Sequence, residues 1–146
     1  MGVNVFDEVV ELCREVYNIR RDVKLTLESI KDSIVDFVGS DVDFEPHVNN
    51  FFSVALTHNG KLYLCFVGIS FQKVTIDVRD GQGGLKIEVK VDHDSHIFYN
   101  DKPEYSLKDI EKYFVVAKEA LTRVKERLLR LRERVNTLQR LLTALT

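Results

Sequence analysis

With 146 residues, 45% hydrophobic and 30% charged, the chain has the composition of one folded domain rather than of a disordered or low-complexity protein. A net charge of −2 excludes a protein that is basic overall, and no run of 18 apolar residues exists to span a membrane. Met1 to Phe6 lack the basic stretch and apolar run of a signal peptide, so an intracellular, cytoplasmic protein is expected.

Asn4 is placed to cap a first helix, with Asp7 and Glu8 in the first turn where the macrodipole favours acids. Phe6, Val9, Cys13, Val16, Val23, Leu27, Ile30, Ile34 and Phe37 then recur in four-three spacing, which predicts a long helix over 4–38 that stops at Gly39. Val5, Val10, Leu12, Tyr17 and Ile19 widen its apolar face beyond a two-position seam, a width that one antiparallel helix would not cover and a bundle would. Arg20 reads as a solvated interruption. Residues 39–50, with Asp41, Asp43, Glu45 and Pro46, read as a solvated connecting loop.

Over 48–100 the period changes to two, which predicts an antiparallel sheet. Phe51–Thr57 and Lys61–Ile69 flank His58-Asn59-Gly60, a strong hairpin signal. The second run is apolar on both faces, which predicts a central strand. Lys73–Arg79 and Leu85–Asp92 alternate cleanly, and Ile97–Tyr99 makes a short fifth strand plausible, so the sheet is a meander of four to five strands. Gly81-Gln82-Gly83-Gly84 has glycines like a phosphate loop but leads into a strand and lacks the following Lys-Ser/Thr, so it reads as a turn.

From Ser106, a capping residue with Asp109 three positions on, a second long helix is predicted over 106–145. Its seam runs through Ile110, Phe114, Ala117, Leu121, Val124, Leu128, Leu131, Val135, Leu138, Leu142 and Leu145 in heptad spacing. Residues 107–145 carry ten basic and five acidic groups (+5), and residues 4–38 carry five and eight (−3), which favours the helices lying together. The expected architecture is a single α+β domain over 1–146, with two long antiparallel coiled-coil-like helices flanking the meander.

No residue pattern specifies chemistry. Cys13 and Cys65 are far apart in apolar runs and read as buried, reduced thiols, and no serine or cysteine sits in a nucleophile motif. Asp92, His93, Asp94 and His96 are the one cluster with metal-ligand chemistry; His93 and His96 fall short of the four ligands of a structural site, so no metal and no cofactor is assigned. Arg123, Arg127, Arg130 and Arg134, with Lys125 and Arg132, line a basic flank that can track phosphates, although Glu119, Glu126 and Glu133 interleave. Scarce glutamine and methionine lean towards a thermophilic source.

In its helix–sheet–helix order the chain resembles prefoldin subunits, a resemblance that implies a holding chaperone with coiled-coil tentacles. It also resembles a small bacterial nucleoid-associated family of helix, three strands and helix, which implies a dimer that binds DNA. The order of elements alone carries both. The reading reached is a non-enzymatic assembly protein, a homodimer, that presents its sheet to protein partners, with nucleic-acid binding or a prefoldin-like holdase as the alternatives. Its seam is assigned to Phe6, Val9, Leu12, Cys13, Val16, Ile19, Leu121, Val124, Leu128, Leu131, Val135, Leu138 and Leu142, and Asp at Leu128 and Leu131 is expected to abolish assembly.

Overall fold

A computed structural model describes residues 4–38, 48–92, 96–100 and 107–145, with side chains at all of these but 34–38, 96–100 and 107. The expected stop at Gly39, the acidic loop, the side chains of Ile34 and Phe37, and the cap at Ser106 lie outside that description. Two long helices, α1 (Val5–Val38) and α2 (Leu107–Leu145), flank five strands in the chain. These are β1 (Phe51–His58), β2 (Lys61–Ser70), β3 (Lys73–Arg79), β4 (Gly84–Lys90) and β5 (His96–Asn100), paired as one antiparallel meander in that order. The class is α+β, as the periodicities predict.

Local chemistry accounts for the element ends. Asn4 Oδ1 accepts the Asp7 amide at 3.0 Å, which satisfies one of the helix's orphan donors. Between β1 and β2, Asn59 (φ 52°) and Gly60 (φ 77°) form the two-residue turn with both central residues left-handed, and this sets His58 opposite Lys61. The loop between β3 and β4 turns on Asp80. Its Oδ1 accepts the amides of Gln82 (2.9 Å) and Gly83 (3.0 Å), so the glycine-rich stretch is a turn whose donors are directed at the chain's own carboxylate. At Gly84 a side chain is sterically excluded, because a Cβ would lie 2.6 Å from the Val78 carbonyl oxygen.

Alternate residues of β1 to β4 bury one face of the sheet: Val54 and Leu56, then Tyr63, Cys65, Val67 and Ile69, then Val74, Ile76 and Val78, then Leu85, Ile87 and Val89. Both helices pack on that face, and the two layers share one core with Val9, Cys13, Val16, Phe114, Ala117, Leu121 and Val124. The wide face from Val5 to Ile19 is therefore covered within the chain, by the sheet on one side and α2 on the other. This corrects the inference that the width of this face calls for a second copy.

The direction of the helices also differs from the expected hairpin. Phe6 meets Phe114 edge to face (4.6 Å), Glu8 pairs with Lys118 (2.6 Å), and Glu15 pairs with Lys125 (2.7 Å). Partners advance together along both helices, so α1 and α2 run parallel. The physical reason is the parity of the sheet. Tyr17 takes the Gln72 amide at 3.2 Å and Arg20 bonds Asn50, so α1 reaches the end of the sheet where β1 starts and then passes it. An odd number of antiparallel strands makes β1 and β5 run the same way. Helices antiparallel to their neighbouring strands are then parallel to each other. Arg20, read as solvated, instead ties α1 to the start of β1.

Candidate interaction surfaces

Four surfaces or clusters carry side chains whose placement goes beyond core packing. The first is polar and lies where α2 begins. The Asp80 side chain, 4% exposed, receives Lys61 Nζ at 3.0 Å and the Tyr113 hydroxyl at 2.9 Å besides its two amides. Burial pushes its pKa up, but the Gln82 amide, Lys61, Tyr113 and the Gly83 amide outweigh that and hold it at about 2. Tyr113 also meets Tyr63 edge to face (6.3 Å), and the Lys112 ammonium lies 5.8 Å from the Tyr63 ring centre. The arrangement fastens β2, the β3–β4 turn and the first turns of α2 to one another, and its carboxylate is fully engaged.

The seam residues divide into two groups. Val9, Cys13, Val16, Ile19, Leu121, Val124, Leu128 and Val135 are buried within the chain, and Phe6, Leu12, Leu131 and Leu142 pack partly against the same core. Leu138 is exposed, as are Leu25, Leu141 and Leu145. The exposed members lie where the helices pass the end of the sheet, from about Lys24 on α1 and Leu131 on α2, a stalk of about 20 Å at 1.5 Å per residue. Most of the predicted seam thus belongs to the core, and only its far end is left bare.

The third surface is the sheet's outer face, which divides lengthwise. Over β3 and β4 it is charged, with Lys73 on Glu88 (2.9 Å) and Arg79 on Asp77 (3.1 Å). Over β1 and β2 it is apolar: Phe51 is 80% exposed, Leu62 59%, Leu64 47% and Phe66 45%. The apolar residues on both faces of β2 led to the expectation of a central strand. It does lie between β1 and β3, but both helices pack on the other face and no described residue covers Leu62, Leu64 and Phe66. Gly68 stands opposite Phe51, and a Cβ there would meet the edge of the Phe51 ring at 3.4 Å.

The basic flank is not continuous. Arg123 pairs with Glu119 (3.4 Å) and donates to the Ala55 carbonyl oxygen (3.3 Å), so it is bound to the chain's own β1. Arg127, Arg130 and Arg134 are exposed. Of the two histidines weighed as ligands, His93 and the side chain of His96 lie outside the description, and among the described residues no group of three His, Cys, Asp or Glu is set to hold a metal. Both thiols are buried. Burial pushes Cys13 well above the ordinary thiol range and Cys65 up to about 12, which keeps them in the unreactive protonated form.

One of these clusters escapes a reading by periodicity. Asp80 meets Lys61 and Tyr113 only through the tertiary fold, so no local signal marks the network. The bare patch did leave a signal, since Phe51, Leu62, Leu64 and Phe66 break the apolar-in, polar-out alternation of the neighbouring strands. Among the described residues no helix is long and apolar enough to cross a membrane. Comparison with protein families, with curated proteins and with solved structures gives no match, so the resemblances to prefoldin subunits and to the nucleoid-associated family rest on the order of elements alone.

Proposed function

We propose that the chain is a non-enzymatic assembly protein whose parallel stalk associates with the stalk of a second copy and leaves the sheet free for further contacts. The observation that supports this is the exposure of the heptad residues Leu138 and Leu145, with Leu141 beside them, at the far end of a pattern whose nearer members are buried or partly buried. Two helices side by side cannot cover such residues, whereas a four-helix contact can. Light scattering on the intact chain should give at least a dimer, and the doubly substituted Leu138→Asp, Leu141→Asp chain should lose that step in mass while keeping its helical circular dichroism. An unchanged mass would remove the stalk as the interface.

A second reading rests on the exposed Arg127, Arg130 and Arg134 along the same helix. It is nucleic-acid binding through phosphate contacts, with affinity that falls steeply as salt rises. Reversing these three to Glu should then abolish a salt-sensitive shift seen with mixed nucleic acid. Arg123 is left unchanged in that test because of its bond to β1. A shift that survives the reversal would rule out this flank.

A further inference from the structure

We infer that the edge of β1, unpaired among the described residues, is a self-pairing edge, on which the β1 of a second copy adds antiparallel to make one sheet of ten strands. The inference goes beyond the stalk and stands without it.

The direction of the backbone groups can be settled residue by residue. The two-residue turn at Asn59-Gly60 makes His58 and Lys61 a hydrogen-bonded pair, so even-numbered residues of β1 direct their N–H and C=O groups at β2. The Ile69 amide on the Asn50 carbonyl oxygen (2.8 Å) agrees with this. Odd-numbered residues must then face the open edge, and Arg123 does reach the carbonyl of Ala55 there. Phe51, Ser53, Ala55 and Thr57 thus present their backbone groups to the edge and their side chains to the outer face.

Edge strands are normally guarded by charge, proline or a bulge. This one reads Phe-Phe-Ser-Val-Ala-Leu-Thr-His, eight residues with no acid, lysine, arginine or proline, and it pairs with β2 without interruption. Arg123 guards a single carbonyl.

Three properties select a second copy as the occupant. The first is the fit of large to small. An antiparallel pair centred on Val54 sets Ser53 opposite Ala55 and Phe51 opposite Thr57 of the other copy, so each large ring meets a small residue and extends towards Leu62. The second is area. Phe51, 80% exposed, stands on the edge strand itself and would be covered across the seam, one side chain of roughly 150–200 Å², whereas Leu62, Leu64 and Phe66 lie one strand inward and stay bare. With the edge backbone and the facing flank of α2 this makes a contact at the small end of the specific range, below about 1,200 Å² in total, which suits pairing that depends on concentration. The third is charge. The flank of α2 beside the edge reads Glu119, Arg123, Arg127, and a two-fold axis level with Arg123 sets each Glu119 opposite Arg127 of the other copy, while the two Arg123 side chains meet near the axis, each held by its own Glu119 (3.4 Å).

Residue-resolved amide exchange on the full chain, at micromolar and at near-millimolar concentration, tests this separately from the stalk. Edge pairing should slow the amides of Phe51, Ser53, Ala55 and Thr57 by more than about tenfold at high concentration, while the even-numbered amides of β1 are protected throughout. Ala55→Pro, which removes an edge-facing N–H and leaves the ladder to β2 intact, should abolish that concentration dependence. Odd-numbered amides that exchange equally fast at both concentrations would overturn the proposal and leave the edge to a different protein or to solvent. Protection that survives Ala55→Pro would overturn it as well. A stalk contact alone protects none of these four amides, and two copies joined at β1 point their stalks in opposite directions, so either interface can fail without the other.

Discussion

Leu128→Asp should unfold the chain itself, not merely separate copies of it. Leu128 is 2% exposed, in the core shared by both helices and the sheet. An uncompensated carboxylate there loses the burial of a leucine and adds the desolvation of a charge, together above about 4 kcal/mol, a large part of the 5–15 kcal/mol that holds a domain of this kind together. Leu128→Ala, which removes only volume, should cost about 2–5 kcal/mol. Denaturant titration followed by circular dichroism measures both. The contrast with Leu138→Asp is the informative part. If Leu128→Asp kept a cooperative transition near that of the parent chain, the seam would not be packed within the chain as described.

Asp80→Ala should be the most damaging polar substitution, at about 3 kcal/mol or more. It leaves two amides, the Tyr113 hydroxyl and the Lys61 ammonium without their acceptor at a nearly closed site, and hydrogen bonds to a charged group are the costly ones to lose. Its pH dependence identifies it. The carboxyl stands at about 2 in the folded chain against 3.8 in its ordinary state. A depressed pKa means that the ionised form favours the fold, so the stabilisation is complete above about pH 5 and is lost as pH falls through 4 towards 2. The amount is about 2 kcal/mol. Asp80→Asn should lack this component, so the stability gap between parent and variant should narrow over that window. A gap that is constant from pH 5 to pH 2 would show that the carboxylate's charge contributes nothing.

How much of this was legible in the sequence follows from the range of the interactions. The cap at Asn4, the turn at Asn59-Gly60, the five strands and the inward faces of β3 and β4 depend on neighbours within a few residues, and period and turn chemistry show them. The direction of the helices depends on whether the sheet has four strands or five, and thus on Ile97–Tyr99, the weakest run in the chain. The covering of Val9, Cys13 and Val16 depends on which side of the sheet the helices choose. The Asp80 network joins positions 61, 80 and 113, and no pattern along the chain links them. The interaction surfaces were legible as exceptions. Apolar residues stand where the alternation calls for polar ones on β1 and β2, and a heptad pattern runs on past the end of the sheet.

The parallel pairing of α1 with α2 has a consequence for biosynthesis. Glu8 and Lys118, or Phe6 and Phe114, are more than one hundred positions apart. At about 5–20 residues per second, the first helix emerges from the ribosome several seconds before the segment that covers it. Through that interval Val9, Cys13, Val16 and Val23 lack the cover that α2 gives them, and the inner face of the meander, complete by Asn100, lacks it as well. The nascent chain therefore has no stable resting point short of its last third. Whatever shields α1 and the sheet until α2 arrives, whether the ribosome surface or a chaperone, is a determinant of yield that the finished fold conceals.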